Sequence, residues 1–103
     1  MREFKPMNAE FDEYRRDESR SQGEADTISF PTSEDELCAQ LRVLTESEPP
    51  VPVTVQGART GLAAGAVPHG GHVLNLSKMN AFLGLRRDEA GVFYLRVQPG
   101  VVL

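Results

Sequence analysis

The chain has 103 residues with 11 basic and 15 acidic side chains, a net charge of −4, and 40% hydrophobic content. That length sets one domain or less, the acidic balance excludes a general nucleic-acid or anionic-membrane binder, and no apolar run approaches the ~20 residues of a membrane span. A single cysteine, Cys38, rules out an intrachain disulfide framework, and the polar opening MREFKPMNAEFDEY is no secretory signal, so a cytoplasmic location is expected.

Residues 1–26 form the first expected region, a charged helical segment holding half of the charged side chains. Phe4, Met7, Phe11 and Tyr14 recur near helical spacing, which predicts a short amphipathic helix over FDEYRRDESR. Arg15, Arg16 and Arg20 admit two readings: a face for an anionic ligand, or a solvated face laced with Asp12, Glu13, Asp17 and Glu18. Gln22-Gly23 then breaks the pattern.

Thr27-Ile28-Ser29-Phe30 reads as a short strand closed by Pro31. Ser33, followed three residues later by Glu36, predicts a capping box, and Glu34 and Asp35 suit the positive end of a helix dipole. Leu37, Leu41 and Leu44 fall at i, i+4 and i+7, so the helix spans about Glu34 to Glu46 with Cys38 expected on its buried face. Pro49-Pro50 leads stiffly into a strand over Val51 to Gln56. Strand, helix, strand is the signature of two parallel strands joined by a right-handed crossover.

The stretch after that strand, QGARTGLAAGAVP, is rich in small residues. Bulk between Gly57 and Ala66 comes only from Arg59 and Leu62. Such a loop lets backbone N–H groups approach a phosphate, and its place at the carboxyl end of a parallel strand is where open α/β sheets bind ligands. An ordinary glycine-rich connection is the other reading. The loop is not a P-loop, lacking Gly-Lys-Ser/Thr, and its glycines do not match G-x-G-x-x-G.

His69-Gly70-Gly71-His72 reads as a reverse turn. Two histidines alone do not make a zinc site, and no third ligand lies close in sequence. Val73-Leu74-Asn75-Leu76 is the next strand, Ser77-Lys78-Met79-Asn80 a turn, and Phe82–Arg86 with Val92–Val97 a β-hairpin across Asp88-Glu89-Ala90-Gly91. Pro99-Gly100 ends the hairpin, and Val101-Val102-Leu103 closes the chain on apolar residues without a cap, the pattern expected of a fragment or truncated product.

FPTSEDEL, PVTVQGARTGLAAGAVP, HVLNLSKMNAFLGL and LRVQPGVVL together resemble the FAD-binding domain of the FAD-linked oxidases, the vanillyl-alcohol-oxidase-like group that includes D-lactate dehydrogenases and the glycolate oxidase FAD-linked subunit. DESR–QGEADTISFP resembles the family's opening segment, so the likeness covers nearly the whole chain. It implies an α+β fold: residues 27–103 as the first subdomain of a two-subdomain FAD-binding domain, truncated, with a small largely parallel sheet, helices and a β-hairpin. It implies that Gln56, Gly57, Ala58, Arg59, Thr60, Gly61 and Leu62 match the FAD pyrophosphate loop, Gly65 a small-residue position beyond it, and Pro99, Gly100 and Val101 a segment beside the adenine end. The family often has arginine where this chain has Gln56, and glycine where it has Ala58, Arg59 and Ala64; Arg59 is bulky where backbone should pass phosphate. Some relatives carry a covalent flavin on a loop histidine, and Thr60 stands at about that place, which implies non-covalent FAD. The family's acid/base residues would follow Leu103, so no catalytic residue is assigned here. The expectation is a part of a flavin-dependent oxidoreductase acting on a 2-hydroxy acid such as glycolate or D-lactate, itself inactive, its partners FAD and either a homodimeric copy or a missing C-terminal portion. A non-catalytic nucleotide-binding or dimerisation module is the alternative.

Overall fold

The computed structural model describes residues 4–103. Four short strands build the main sheet: β1 (Lys5–Pro6), β2 (Thr27–Ser29), β3 (Val53–Gln56) and β4 (His72–Asn75). Their spatial order is β1-β2-β4-β3, with β1 antiparallel to β2 and with β2, β4 and β3 mutually parallel. The expected parallelism of β2 and β3 holds, but the two are not neighbours. β4 lies between them, Ile28 and Thr54 both opposite Val73. A second, antiparallel sheet is the hairpin of β5 (Phe82–Arg87) and β6 (Phe93–Val97). The architecture is the expected small α+β arrangement of a largely parallel sheet plus a hairpin.

Side chains alternate across a strand, so the main sheet has two distinct faces. Ile28 and Val73 face the N-terminal segment and join Phe11 in the core, with Met7, Tyr14, Ala25 and Phe30 packed around them. That segment is a 3₁₀ helix over Ala9–Arg15, capped by Asn8, whose side chain accepts from the Glu10 amide. It differs from the amphipathic helix expected over FDEYRRDESR: it starts earlier and ends at Arg15, and Arg16 instead bridges to Gln22. Its charged side chains pair locally, Arg15 with Asp12 and with Glu24, in line with the solvated-face reading.

The other face carries Thr27, Ser29, His72 and Leu74, and meets α1 (Glu34–Glu46) through the Ser29–Gln40 hydrogen bond of 2.7 Å. Ser33 caps α1 as expected, accepting from the Glu36 amide at 3.2 Å. The reciprocal half of the capping box is replaced: the Glu36 carboxylate accepts from the Thr32 hydroxyl at 2.7 Å. Leu44 is buried and Leu37 and Leu41 half-buried, but Cys38 is exposed, against expectation. At 3.6 residues per turn Cys38 lies about 100° round from Leu37, off the stripe, while the fully buried residue is the polar Gln40. Ser29 satisfies the Gln40 carbonyl, while the Gln40 amide nitrogen is buried without a partner among the described residues.

Candidate functional site

Because β2, β3 and β4 are parallel, their carboxyl ends open on one edge of the sheet, and three connections converge there. The loop after β3 is tied to the turn after β4 by the Leu76 amide donating to the Gln56 carbonyl at 2.8 Å. That turn is tied to the one after β6 by the Gly100 amide donating to the Met79 carbonyl at 2.8 Å. The approach at Gly100 admits no side chain, since a Cβ there would sit 2.0 Å from the Leu76 carbonyl oxygen and 2.8 Å from that of Met79. A cleft of about 350 Å³ results, lined by Ala58, Ser77, Asn80, Phe82, Gly100, Val101 and Val102.

The loop itself is a run of free donors. Among the described residues, none of the backbone N–H groups from Gly57 to Leu62 donates to a carbonyl or a side chain of the protein. Cβ atoms added at Gly57 or Gly65 would meet open space. Arg59 (φ +58°) and Ala64 (φ +65°) adopt the left-handed conformation, from which anion-accepting backbone concavities are made. Gly57, Ala58, Thr60, Gly61 and Leu62 are exposed, Leu62 at 79%. Unpaired amide dipoles without bulky side chains can approach an anionic group closely.

Two predicted residues turn inward instead. Gln56 is fully buried; its amide nitrogen donates to the carbonyls of Tyr14 at 2.6 Å and Ala66 at 2.9 Å, and its oxygen accepts from Asn75 at 3.0 Å. Arg59 folds back over the N-terminal segment, donating to the Glu13 carbonyl at 2.6 Å with its guanidinium 4.6 Å from the centre of the Tyr14 ring. Asp17 lies under the same loop. The Ser19 hydrogen bonds, helped by the amides of Ala66 and Ala64, hold its carboxyl below the usual carboxylate range. The loop and the Gly100 turn, separate in sequence, share the cleft through Ala58, Gly100 and Val101, while Thr60, Gly61, Leu62 and Gly65 lie outside its lining. Sequence reading missed Ser77, Asn80, Phe82 and Val102 on its walls. The one available signal was Asn75-x-Ser77 at the end of β4, an Asx turn in which Asn75 accepts from the Ser77 amide at 3.0 Å.

His69 and His72 part company. His72 is fully buried, 2.7 Å from the Thr27 hydroxyl at Nδ1 and 2.7 Å from the Ser29 hydroxyl at Nε2. Ser29 spends its one proton on Gln40, so it accepts from Nε2–H, and Nδ1 accepts from Thr27. Burial pushes the imidazole pKa down to about 4. His69 is exposed and forms an isolated bridge with Glu24.

A largely parallel sheet whose carboxyl edge carries a loop of unpaired amides beside a cleft is an arrangement able to accept an anionic ligand. The chain belongs to the FAD binding domain family, whose description matches residues 25–103, and it is an FAD-binding domain of the FAD-linked oxidase type. Among curated proteins it is similar to a D-lactate dehydrogenase of Anaerostipes hadrus, with 37% identity over 95 residues. The match takes in 89% of this chain and 19% of that protein, so the chain spans about a fifth of the relative's length. Among the described residues no helix is long and apolar enough to cross a membrane.

Proposed function

We propose that the loop Gly57–Leu62, supported by Gln56, holds the pyrophosphate of a non-covalent FAD, with Gly65 leaving space beyond it. In this reading Pro99, Gly100 and Val101 form the opposite wall, beside the adenine end. The observation that carries the proposal is the run of six consecutive N–H groups with no acceptor among the described residues. Backbone dipoles accept the two phosphate charges without lysines, and the small side chains let them approach. Ser77 and Asn80 add neutral hydrogen-bonding groups to the cleft.

The larger activity follows as part of the same proposal. A longer flavoprotein containing this domain oxidises a 2-hydroxy acid of the D-lactate or glycolate type; the bound flavin supplies the redox chemistry by accepting a hydride. The relative's name and the family support that class. This chain's share is to bind and orient one end of the cofactor. In this reading the chain alone turns over no substrate, its part being confined to the cofactor.

The exposed hairpin favours a covered surface as well. Phe82, Leu85 and Phe93 are between 63% and 68% exposed, and we infer that the remainder of a longer flavoprotein, or a second copy, lies over them.

The test is competition binding to the purified chain. FAD should bind with quenching of its fluorescence, ADP should displace it, and riboflavin, which lacks the pyrophosphate, should not. Riboflavin competing as well as ADP would overturn the assignment of the loop. ADP binding as tightly as FAD would favour a generic nucleotide module.

A further inference from the structure

Arg59 is the residue that fits least well in a phosphate loop, and its surroundings explain why it is there. A non-glycine residue in the left-handed conformation costs roughly 1–3 kcal/mol and persists only where neighbours over-determine it. At φ +58° Arg59 is such a residue, and its determinants all lie in the N-terminal segment. One guanidinium nitrogen donates to the Glu13 carbonyl at 2.6 Å, the other lies 3.4 Å from the Glu13 carboxylate, and the plane covers the Tyr14 ring at 4.6 Å. Arginine makes both kinds of contact with one rigid group, which lysine does not. Three residues earlier, Gln56 donates to the Tyr14 carbonyl at 2.6 Å. At the far limb of the loop, a Cβ on Gly61 would lie 3.9 Å from Asp17 Oδ2.

Tyr14 is itself anchored. Its ring meets Phe30 edge-on at 5.2 Å and lies 6.2 Å from Phe11, a core residue. The Arg15 carbonyl accepts from the Gly23 amide at 2.8 Å, and Arg15 pairs with Glu24 at 2.6 Å. Residues 13–17 are therefore a fixed strap under the loop. They lie before residue 25, where the match to the FAD binding domain family begins.

We propose that this strap positions the cofactor loop: Glu13 and Tyr14, acting through Arg59 and Gln56, hold Gly57–Leu62 in its anion-accepting form, and Arg59 is a positioning residue with no phosphate contact of its own. The inference rests on the pyrophosphate reading for its ligand and on the strap contacts for its mechanism. Three-quarters of the Arg59 side chain is covered, its exposure being 24%, and its charge is turned toward Glu13, so it adds orientation where a free arginine would add charge.

The test uses the full chain and FAD as the probe. Arg59→Gly removes the latch while making the left-handed conformation free, and Tyr14→Leu removes the stacking surface. Each should weaken FAD binding about tenfold, and the double variant should be no weaker than either, since both break one unit. The dependence of affinity on salt should be the same in Arg59→Gly as in the parent. Tyr14→Phe, which keeps the ring and the backbone carbonyl, should bind like the parent, guarding against a general packing effect. Unchanged affinity in Arg59→Gly overturns the proposal. So does a loss in Arg59→Gly with a shallower salt slope while Tyr14→Leu binds normally, because Arg59 would then be a direct ligand.

A second readout does not need flavin. Amide ¹⁵N order parameters of residues 57–62 should be near ~0.85 in the free parent chain and fall below ~0.6 in Arg59→Gly. If the parent bound no FAD but the order parameters fell, the pyrophosphate reading would be lost and the strap retained. If they did not change, the strap itself would be refuted.

Discussion

His72 Nε2 lies 2.7 Å from the hydroxyl of Ser29, and the two residues link the central strand β4 to α1 by way of Gln40. Phe4 closes the site, its ring 4.4 Å from the imidazole. Protonation would place a second donor at Nδ1, facing the Thr27 hydroxyl that now donates to it, on a side chain that is fully buried. In the unfolded chain His72 titrates near 6.5, in the folded chain at about 4. Between those values the unfolded state binds a proton that the folded state refuses, so stability falls as pH drops from about 6.5 to 4 and levels below that. The loss should be on the order of 3 kcal/mol, measured by urea unfolding across that window. His72→Gln should flatten the pH dependence there. A chain equally stable at pH 7 and pH 4.5 would contradict the assignment.

Gly57→Ile separates folding from binding. The new side chain enters open space, so thermal stability should change by less than about 0.5 kcal/mol. FAD affinity should nevertheless fall sharply, because the branched side chain occupies the approach to the loop amides. Equal affinity would mean that the pyrophosphate lies elsewhere.

Gly100→Ala should do the opposite. Its methyl group would meet two backbone carbonyls that lie between the β4 and β6 turns, at 2.0 and 2.8 Å. A loss of about 2–3 kcal/mol is expected in denaturant unfolding, as for overpacked sites generally. A neutral result would show that the turn has room to move.

Ser33→Ala tests the start of α1. Losing the acceptor for the Glu36 amide should cost about 1 kcal/mol, with the helix otherwise intact by circular dichroism. Ser33→Asp should retain most of the stability.

On the hairpin, the expected outcome concerns association. The parent chain should gain mass with concentration in light scattering, and Leu85→Glu with Phe93→Glu should hold it monomeric. A monomeric parent at all concentrations would show that the exposed face does not self-associate.

What could be read from the sequence was local. Ser33, three acidic residues and the leucine spacing define α1 without help from the rest of the chain, and Asp88 to Gly91 defines the hairpin turn. The position of β4 could not be read, because nothing within HVLN says which strands will flank it. His72 reads from the sequence as the end of a turn, yet it opens β4, and all four residues of that strand are buried. His72 and Asn75 are tolerated there because Thr27, Ser29 and Gln56 satisfy them from other strands. At the site, the glycine loop announced itself by composition, whereas its second wall did not. Ser77, Asn80 and Phe82 reach the cleft only because β4 lies beside β3. In the N-terminal segment the apolar spacing of Phe11 and Tyr14 was legible, but the 3₁₀ form and the bounds Ala9–Arg15 were not, because they depend on which sheet face those two rings cover.

The strap under the loop carries a practical consequence for anyone recombining such domains. A glycine loop grafted from a relative would arrive without the floor it was shaped on, and a boundary drawn at residue 25 would discard that floor altogether. Residues 9–17 and 56–66 are one exchangeable part, split by the 38 residues from 18 to 55, and have to be moved together.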